Sequence, residues 1–433
     1  MKHTEPAGPA LSRRSVLRRT TLASVAGLAG VTGLSASAAA QSCDAVVPDD
    51  YASIQAAVDD ADAGDTICIE PGTYEETVRA DEEVTLRGRT APNGGNPATV
   101  DGYVSVEADG VTIRRLRITA SETFDGGTFP DPFGVRVTAG DVLVEDNLVE
   151  GFRADLGDGA GSFTVHGVQV FGASGAGASD VTVRGNQIRD VRSDGGDEWP
   201  EYGGVAGVKI QAGADGATVT DNEITDLHSA GWAYGVVLAT SASAPGAPTD
   251  VTVEDNDVSE LNDGTEFDVF TGADDGRSAA PYPGSAVAVD TGADATEATV
   301  RHNNLLAPNG VETKDDDGTL EATCNWWGDR SGPTDDDNPD GTGTWALERG
   351  DASADYTPWL NAPSPARSCV GGQTNGNGAS GNGNGNNGNG KANGNNGNGK
   401  ATGASGNGKA NGANGNNGNN GKANGASGRG RGP

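Results

Sequence analysis

The chain has 433 residues, is only 5% aromatic, and carries a formal net charge of −33 at pH 7. This acidity excludes nucleic acid and anionic membranes as partners of the body of the protein, because like charges repel. The acidic residues concentrate in residues 41–370, where Lys209 and Lys314 are the only lysines. We therefore expect a halophilic type of protein, whose acidic surface is adapted to multimolar salt.

The two ends of the chain differ in composition from the body. Residues 12–18, SRRSVLR, precede a weakly apolar stretch and an alanine-rich segment that ends near Ala40. This order resembles a twin-arginine signal, so residues 1–40 are predicted to be a signal peptide that exports the folded protein. Residues 371–433 repeat Asn, Gly, Lys and Ala without an aromatic or acidic residue, which predicts a disordered tail. No other apolar run is long enough to span a membrane.

The body, residues 41–370, is predicted to begin with a short amphipathic helix. Ile54, Ala57 and Val58 form one apolar stripe at helical spacing, and the alternating segment DTICI follows at 65–69. Such a helix is suited to cap the open N-terminal end of a stack of strands.

A repeated octet determines the predicted fold. It occurs at 142–149, 181–188, 217–224, 251–258 and 298–305. A short strand of the type GVxV precedes each octet or a degenerate copy of it, at 134–137, 167–170, 207–210, 235–238, 286–289 and 310–313. Alternation within short strands, and insertions of variable length between them, predict an all-β right-handed parallel β-helix solenoid with at least two strands per coil. The asparagine of each octet is predicted to turn the chain and to stack on the next asparagine along the axis. These residues are Asn147, Asn186, Asn222, Asn256, Asn303 and Asn325.

The long insertions all follow an octet and precede the next strand, so we expect them to stack into one loop-lined face. Aromatic side chains bind the apolar faces of sugar rings, and neighbouring carboxylates can transfer protons or hold Ca²⁺. The alternative is that the aromatic residues only pack the loops onto the body and that the acids are ordinary acidic surface. The candidate substrate contacts on this face are Trp199, Tyr202, Trp232, Tyr234, His166 and His228.

Two further segments carry a resemblance to a known family. DDYASIQAAVDDADAGDTICIEPGTYEETV at 49–78, and CNWWGDRSGP at 324–333 with DYTPWL at 355–360, resemble the opening and closing segments of pectin-lyase-like right-handed parallel β-helix repeat proteins. Large apolar side chains near the C-terminal end of the body are expected to cover the open far end, with sugar-binding platforms as the alternative, and they are Trp326, Trp327, Trp345 and Trp359. The resemblance implies little about activity, because this superfamily contains lyases, hydrolases, epimerases, esterases, adhesins and surface proteins.

The resemblance also implies where catalysis would take place. In polysaccharide lyases of this fold, a basic residue on the face of the GVxV strands removes the proton next to a uronate carboxylate, and Ca²⁺ stabilises the developing charge. The third residue of each GVxV strand is predicted to point outward, which gives an outward row of Arg136, Gln169, Lys209, Val237, Ala288 and Glu312. Within this row, Lys209 and Arg136 are the candidates for the basic residue, with Glu198 and Glu201 opposite them. The alternative for Lys209 is a surface cation paired with an acid. The chain departs from the family's hydrolases in lacking their Asp pairs and Gly-His-Gly signature, and from its epimerases in having DPF at 131–133 instead of D-P-H.

Four cysteines in a chain predicted to be exported suggest two disulfides, for which three connectivities exist. Their positions near the two ends of the body favour Cys43 with Cys68 and Cys324 with Cys369. Free thiols in a core of small residues are the alternative.

One segment matches the start of a calcium loop. Asp336, Asn338 and Asp340 occupy alternate positions and Gly341 follows, but the twelfth position is Leu347 instead of glutamate. Ca²⁺ is therefore a candidate ion supported by an incomplete motif. Copper is disfavoured, because residues 41–433 contain no methionine and only three histidines.

Together these features predict a secreted β-helix protein that binds a polysaccharide or a cell-envelope glycan along its loop-lined face without catalysis. The alternative is a polysaccharide lyase, or a glycoside hydrolase, that acts on an acidic polysaccharide. Two acids and one base that converge within hydrogen-bond reach would favour the enzyme.

Overall fold

The computed structural model describes residues 42–121, 124–125, 132–157, 164–172, 177–195, 203–229, 231–241, 244, 246–262, 282–314, 318–349, 351–365 and 369–370. The predicted signal peptide and tail lie outside these residues, so the proposed domain boundaries stay predictions. No helix among the described residues has the length and apolarity to cross a membrane.

The described residues form a right-handed parallel β-helix with three sheets, named A, B and C in the order in which each coil visits them. The strands of sheet A are Ala45–Val47, Asp65–Ile69, Val84–Gly88, Thr112–Arg114, Leu143–Glu145, Thr182–Arg184, Thr218–Thr220, Val251–Glu254, Ala298–Arg301, Thr319–Glu321 and Ser353–Asp355. Those of sheet B are Gly72–Tyr74, Ala98–Asp101, Arg117–Thr119, Phe124–Asp125, Leu148–Glu150, Arg153–Gly157, Gln187–Gly195, Glu223–Ser229, Asp257–Val258 and Asn304–Leu305. Those of sheet C are Val78–Ala80, Val104–Val106, Phe133–Val137, Thr164–Phe171, Gly204–Gln211, Trp232–Ala239, Ser285–Val289, Asn309–Thr313 and Trp345–Glu348.

Each octet supplies two strands, which explains why the coil has three strands and not only the two required by the sequence pattern. In the octet 251–258, residues Val251–Glu254 join sheet A and Asp257–Val258 join sheet B. The GVxV strands form sheet C in the predicted register, since Lys209 pairs with Val237 and Val237 pairs with Ala288. The predicted insertions therefore lie in sequence between a strand of sheet B and the next strand of sheet C, and their stacking into one face stays a prediction because many of their residues lie outside the described ranges.

The corner between sheets A and B turns at the residue before each asparagine. Asp146, Asp221 and Asp255 have φ angles of 55°, 55° and 57°, a left-handed conformation that aspartate tolerates better than most residues. The prediction that the asparagine itself makes the turn is therefore wrong. Its side chain points inward and connects neighbouring coils.

The predicted stacking of asparagines is confirmed. The amide nitrogen of Asn256 donates to Oδ1 of Asn303 at 3.0 Å and to the carbonyl oxygen of Val219 at 2.9 Å. Its Oδ1 accepts from the backbone N–H and the amide of Asn222 at 3.0 and 2.9 Å. The same contacts connect Asn147 through Asn325, so buried polar groups are satisfied along this edge of the core.

The predicted helix, α1, spans Ile54–Asp59 and lies between the first two strands of sheet A. It begins after Ser53, whose hydroxyl oxygen accepts the backbone N–H of Ala56 at 3.1 Å. Its apolar residues Ile54, Ala57 and Val58 are buried in the main core. The helix therefore packs on the β-helix with the stripe that the sequence predicts.

The C-terminal coils contain the remaining elements. A 3₁₀ turn spans Ala295–Glu297, and Trp359–Leu360 pairs antiparallel with Cys369–Val370. Of the four tryptophans expected to cover this end, only Trp327 is fully buried, and Trp345 is 52% exposed. The prediction holds for Trp327 and is wrong for Trp345.

Both predicted disulfides are present. Cys43 is bonded to Cys68, which joins the first two strands of sheet A. Cys324 is bonded to Cys369 in the last described segment. All four cysteines are therefore paired, and the alternative of free thiols is excluded.

Candidate functional site

A cleft of about 520 Å³ opens on the outer face of sheet C. Its size and its combination of aromatic and charged groups are typical of ligand pockets. The residues that line it are Trp232, Tyr234, Tyr282, Pro283, Asp290, Thr291, Glu312, Lys314 and Arg349.

One side of this cleft is aromatic. Trp232 and Tyr234 alternate along the strand Trp232–Ala239 and stack with ring centroids 4.6 Å apart. The indole lies over Gly204 of the neighbouring strand, where a Cβ atom would be 2.3 Å from the ring. Glycine is therefore required beneath Trp232. Tyr282 completes this side and is 47% exposed.

The floor of the face is apolar. Tyr234 packs with Ala206, Val237 and Ala288 in a cluster distinct from the core inside the coils, with Trp232 against it. Val237 and Ala288 belong to the outward row that the sequence predicts, but both are buried. The outer face of sheet C is thus partly covered in its middle and open at the cleft.

The other side of the cleft is charged. Asp290, Lys314 and Arg349 each follow directly after a strand of sheet C, and backbone hydrogen bonds continue the register. The Lys314 ammonium lies 3.4 Å from Oδ1 of Asp290 and 3.8 Å from Oε1 of Glu312. It also donates to the hydroxyl oxygen of Tyr234. One cation, two carboxylates and a phenol therefore meet at this point.

Glu312 is buried and compensated on both oxygens. Oε2 accepts from the hydroxyl of Ser285 at 2.6 Å, and Oε1 lies 3.0 Å from Nε of Arg349. A buried carboxylate is costly unless it is paired in this way. Arg349 is 47% exposed at its side chain and uses its Nε in the pair. Because a guanidinium has five N–H donors, Arg349 retains donors for a ligand.

The titration of Tyr234 follows from its position. Burial raises the pKa of Tyr234, and the negative charges of Glu312 and Asp290 raise it further. The hydroxyl therefore stays protonated through neutral pH.

Lys209 and Arg136 lie on the same face of sheet C but do not line the cleft. Lys209 lies on the strand of sheet C that pairs with the strand carrying Trp232 and Tyr234. The guanidinium of Arg136 lies 4.8 Å from the ring centroid of Phe171 and 5.8 Å from that of Phe133. These distances place Arg136 in cation–π contacts with both rings. The catalytic roles assigned to Lys209 and Arg136 stay predictions.

The two candidate histidines lie outside the cleft. His166 is fully buried on sheet C, two strands from Tyr234. His228 lies on sheet B, with Nε2 3.2 Å from Asp226. Burial raises the pKa of Asp226, but hydrogen bonds from His228 and Arg192 outweigh this and lower it overall. His228 therefore belongs to an ion-pair network on sheet B.

The remaining candidates divide into two groups. Trp232 and Tyr234 line the cleft, as the prediction of a binding face requires, whereas their contact with substrate stays a prediction. Four others lie outside the described residues, namely Glu198, Trp199, Glu201 and Tyr202.

The predicted calcium loop is held by hydrogen bonds of its own. The amide nitrogen of Asn338 donates to the carbonyl oxygens of Ser331 at 3.0 Å and Pro333 at 2.7 Å. Asp336 and Asp340 lie on either side of Asn338 in the same loop. Binding of Ca²⁺ by Asp336, Asn338 and Asp340 stays a prediction.

Sequence reasoning missed the charged side of the cleft. Lys314 was noticeable as one of two lysines in the body, and Glu312 as a member of the outward row. Arg349 carried no signal, because the strand Trp345–Glu348 does not repeat the GVxV pattern. The cue available in the sequence was the position of Asp290 and Lys314, each one residue after a repeated strand.

No protein-family model matches the chain, and no curated protein sequence matches it. Among solved structures, an alginate lyase from Paenibacillus sp. str. FPU-7 is 16% identical, with 71% of this chain and 96% of that chain covered and a TM-score of 0.35. The Escherichia coli protein ybhc is 13% identical, with 81% and 96% covered and a TM-score of 0.29. A mannuronan C-5 epimerase A-module from Azotobacter vinelandii is 14% identical, with 74% and 98% covered and a TM-score of 0.22. Similarity this low does not assign a function.

Proposed function

We propose that the protein binds an acidic polysaccharide and holds a uronate unit in the sheet C cleft. The observation that supports this function best is the pairing of two chemistries across one cleft. The aromatic rings of Trp232 and Tyr282 form one side, and the cations of Lys314 and Arg349 form the other.

A uronate unit offers the complement of both sides. Its ring has an apolar face that stacks on aromatic side chains, and its carboxylate suits the two-pronged donor geometry of a guanidinium. Arg349 is therefore assigned to the carboxylate and Tyr282 to the sugar ring. Sheet C also offers a straight face, since its strands are spaced about 4.8 Å apart, along which a linear polymer can lie.

The charge of the whole chain sets the conditions for this binding. A net charge of −33 repels a polyanion at long range in dilute buffer. At 1 M salt the Debye length is only about 3 Å, so this repulsion is screened while contacts inside the cleft persist. The proposed function therefore belongs in high salt, in agreement with the predicted halophilic character.

Replacing Arg349 by glutamine is expected to weaken binding of a uronate polymer by roughly 10- to 100-fold. The physical reason is the loss of charge-assisted hydrogen bonds, which are worth about 1.5–3 kcal/mol. Isothermal titration calorimetry in molar KCl measures this change. A neutral polymer of equal length should bind weakly to both proteins.

Arg189→Gln is the matched control. Arg189 is 44% exposed and pairs through Nε with Glu150 at 2.8 Å, much as Arg349 pairs with Glu312, but it lies on sheet B. Its replacement should leave the affinity unchanged. Equal affinities for wild type and Arg349→Gln, or equal losses for the two variants, would refute the assignment of the cleft.

A second candidate function is β-elimination of the bound uronate, favoured by the meeting of Lys314, Asp290, Glu312 and Tyr234. In that reaction Asp290 takes the proton beside the carboxylate, a carbon–carbon double bond forms, and the glycosidic bond to the leaving oxygen breaks. Tyr234, which stays protonated, gives its proton to that oxygen. Arg349 neutralises the negative charge that develops on the uronate carboxylate when the proton is removed.

Tyr234→Phe distinguishes elimination from binding alone. If wild type releases unsaturated uronate ends, this variant should lose their ultraviolet absorbance by roughly 100-fold or more while retaining the polymer, since acid catalysis contributes about 10²–10⁴-fold. A polymer that binds wild type without unsaturated ends identifies a binding protein. Unsaturated ends produced equally by Tyr234→Phe would exclude Tyr234 as the acid.

A further inference from the structure

Two carboxylates and an imidazole converge at the corner between sheets A and B. One ligand atom from each of Glu254, Asp255 and His302 lies within 4.8 Å of the other two. Glu254 and Asp255 belong to one coil and His302 to the next, where the backbone N–H of Asp255 donates to the carbonyl oxygen of Arg301 at 3.3 Å. None of these residues lines the sheet C cleft.

The spacing of these atoms suits an ion between them. Among the described residues, the His302 imidazole forms no ion pair within 4.0 Å and no hydrogen bond, although two carboxylates lie beside it. Bonds from Zn²⁺ to nitrogen or oxygen are about 2.0–2.2 Å long and tetrahedral in arrangement, so two ligand atoms of one ion lie about 3.4 Å apart. Small side-chain rotations are enough to place a cation at the centre.

Each of the three residues can supply a ligand atom. The guanidinium of Arg301 donates through Nε to Oε2 of Glu254 at 2.9 Å, which leaves Oε1 for an ion. Such an outer partner orients a ligating carboxylate in many metal sites. Glu254, Asp255 and His302 are all half-buried, and a second cleft of about 310 Å³ borders Asp255. An ion and its water therefore have a route to the corner.

The donor set indicates the class of ion. The sulfurs of Cys324 and Cys369 also lie within 4.8 Å of the His302 ligand atom, but their disulfide removes the thiolates that a metal would require. One imidazole and two carboxylates remain. This set favours a first-row divalent transition ion over Ca²⁺, which takes six to eight oxygen ligands.

We propose that Glu254, Asp255 and His302 bind one divalent transition-metal ion of the Zn²⁺ class. The ion neutralises both carboxylates and joins two successive coils of the β-helix. Because its ligands come from two coils, it binds the folded chain and stabilises it by mass action. This site is independent of polysaccharide binding in the sheet C cleft.

Titration of the full-length chain with Zn²⁺ tests this site, in excess Mg²⁺ and without a reductant. Wild type should bind one ion that Mg²⁺ does not displace, and its melting temperature should rise. His302→Asn should weaken that binding by at least about 100-fold, since even the loss of an outer partner costs 10- to 100-fold. Asparagine is chosen because it tolerates the φ of 58° at this position.

Two further variants complete the test. His228→Asn should bind Zn²⁺ as wild type does, because that histidine pairs with Asp226 on sheet B. Asp255→Asn should lose affinity as His302→Asn does, which separates loss of a ligand from a local effect of one substitution. Undiminished Zn²⁺ affinity in both His302→Asn and Asp255→Asn would overturn the proposal. So would displacement of Zn²⁺ from wild type by Mg²⁺, which indicates only diffuse binding to acidic surface.

Discussion

Asn256→Ala is expected to lower the free energy of unfolding by about 3–5 kcal/mol. The side chain is buried and joins Asn222, Asn303 and Val219 through hydrogen bonds. Alanine leaves several of these groups without partners, and each buried unsatisfied group costs about 1–3 kcal/mol. Urea unfolding in molar KCl, followed by circular dichroism, measures the difference.

Thr252→Ala is the control for this substitution. Thr252 lies in the same octet and is half-buried on the outside of sheet A. Its loss should change the free energy of unfolding by less than about 0.5 kcal/mol, as surface substitutions generally do. If Asn256→Ala proved as mild as Thr252→Ala, the asparagine stack would not be what holds the coils in register.

Trp327→Ala is expected to cost about 3–5 kcal/mol of the free energy of unfolding. Trp327 is fully buried and its ring lies over Gly310, where a Cβ atom would be 2.6 Å away. Tyr356 meets it edge to face with centroids 6.1 Å apart. Nε1 of Trp327 makes no hydrogen bond within the described residues, so the lost free energy of unfolding reports the packing of the ring alone. Removing a buried tryptophan side chain leaves a large cavity, which typically costs about 3–5 kcal/mol.

The same substitution at Trp345 provides the comparison. Trp345 is 52% exposed, so its replacement should change the free energy of unfolding by about 0.5 kcal/mol or less. The two variants remove identical atoms from a buried and an exposed position. Equal losses would show that burial of Trp327 does not close this end of the β-helix.

The fold was predictable from the sequence because each repeat is a short contiguous segment whose pattern specifies its own strands. Alternating residues in each octet face the core or solvent, and a recurring asparagine has one way to satisfy its amide in a stack of coils. The turn was misassigned because the left-handed position is taken by aspartate, glycine, histidine or cysteine, and no single residue type marks it in the sequence. The third strand escaped notice because it shares the octet with the first.

The candidate site was only half predictable. Trp232 and Tyr234 stood out as aromatic residues in an insertion, and both line the cleft. Arg349 lies 115 residues after Tyr234 in the numbering and meets Glu312 only through the register of sheet C. Such long-range juxtaposition depends on the number of residues in every intervening insertion. The proximity of His302 to Glu254 could not be predicted from the sequence for the same reason.

A crystal structure of the protein with a uronate oligosaccharide, obtained in molar salt, tests the central claim most directly. The account predicts a sugar ring against Tyr282 and Trp232 and a carboxylate within about 3 Å of the Arg349 guanidinium, the length of a charge-assisted hydrogen bond. Oligosaccharide bound near Lys209 and Arg136 with the cleft empty, or on sheet A or B, would contradict it.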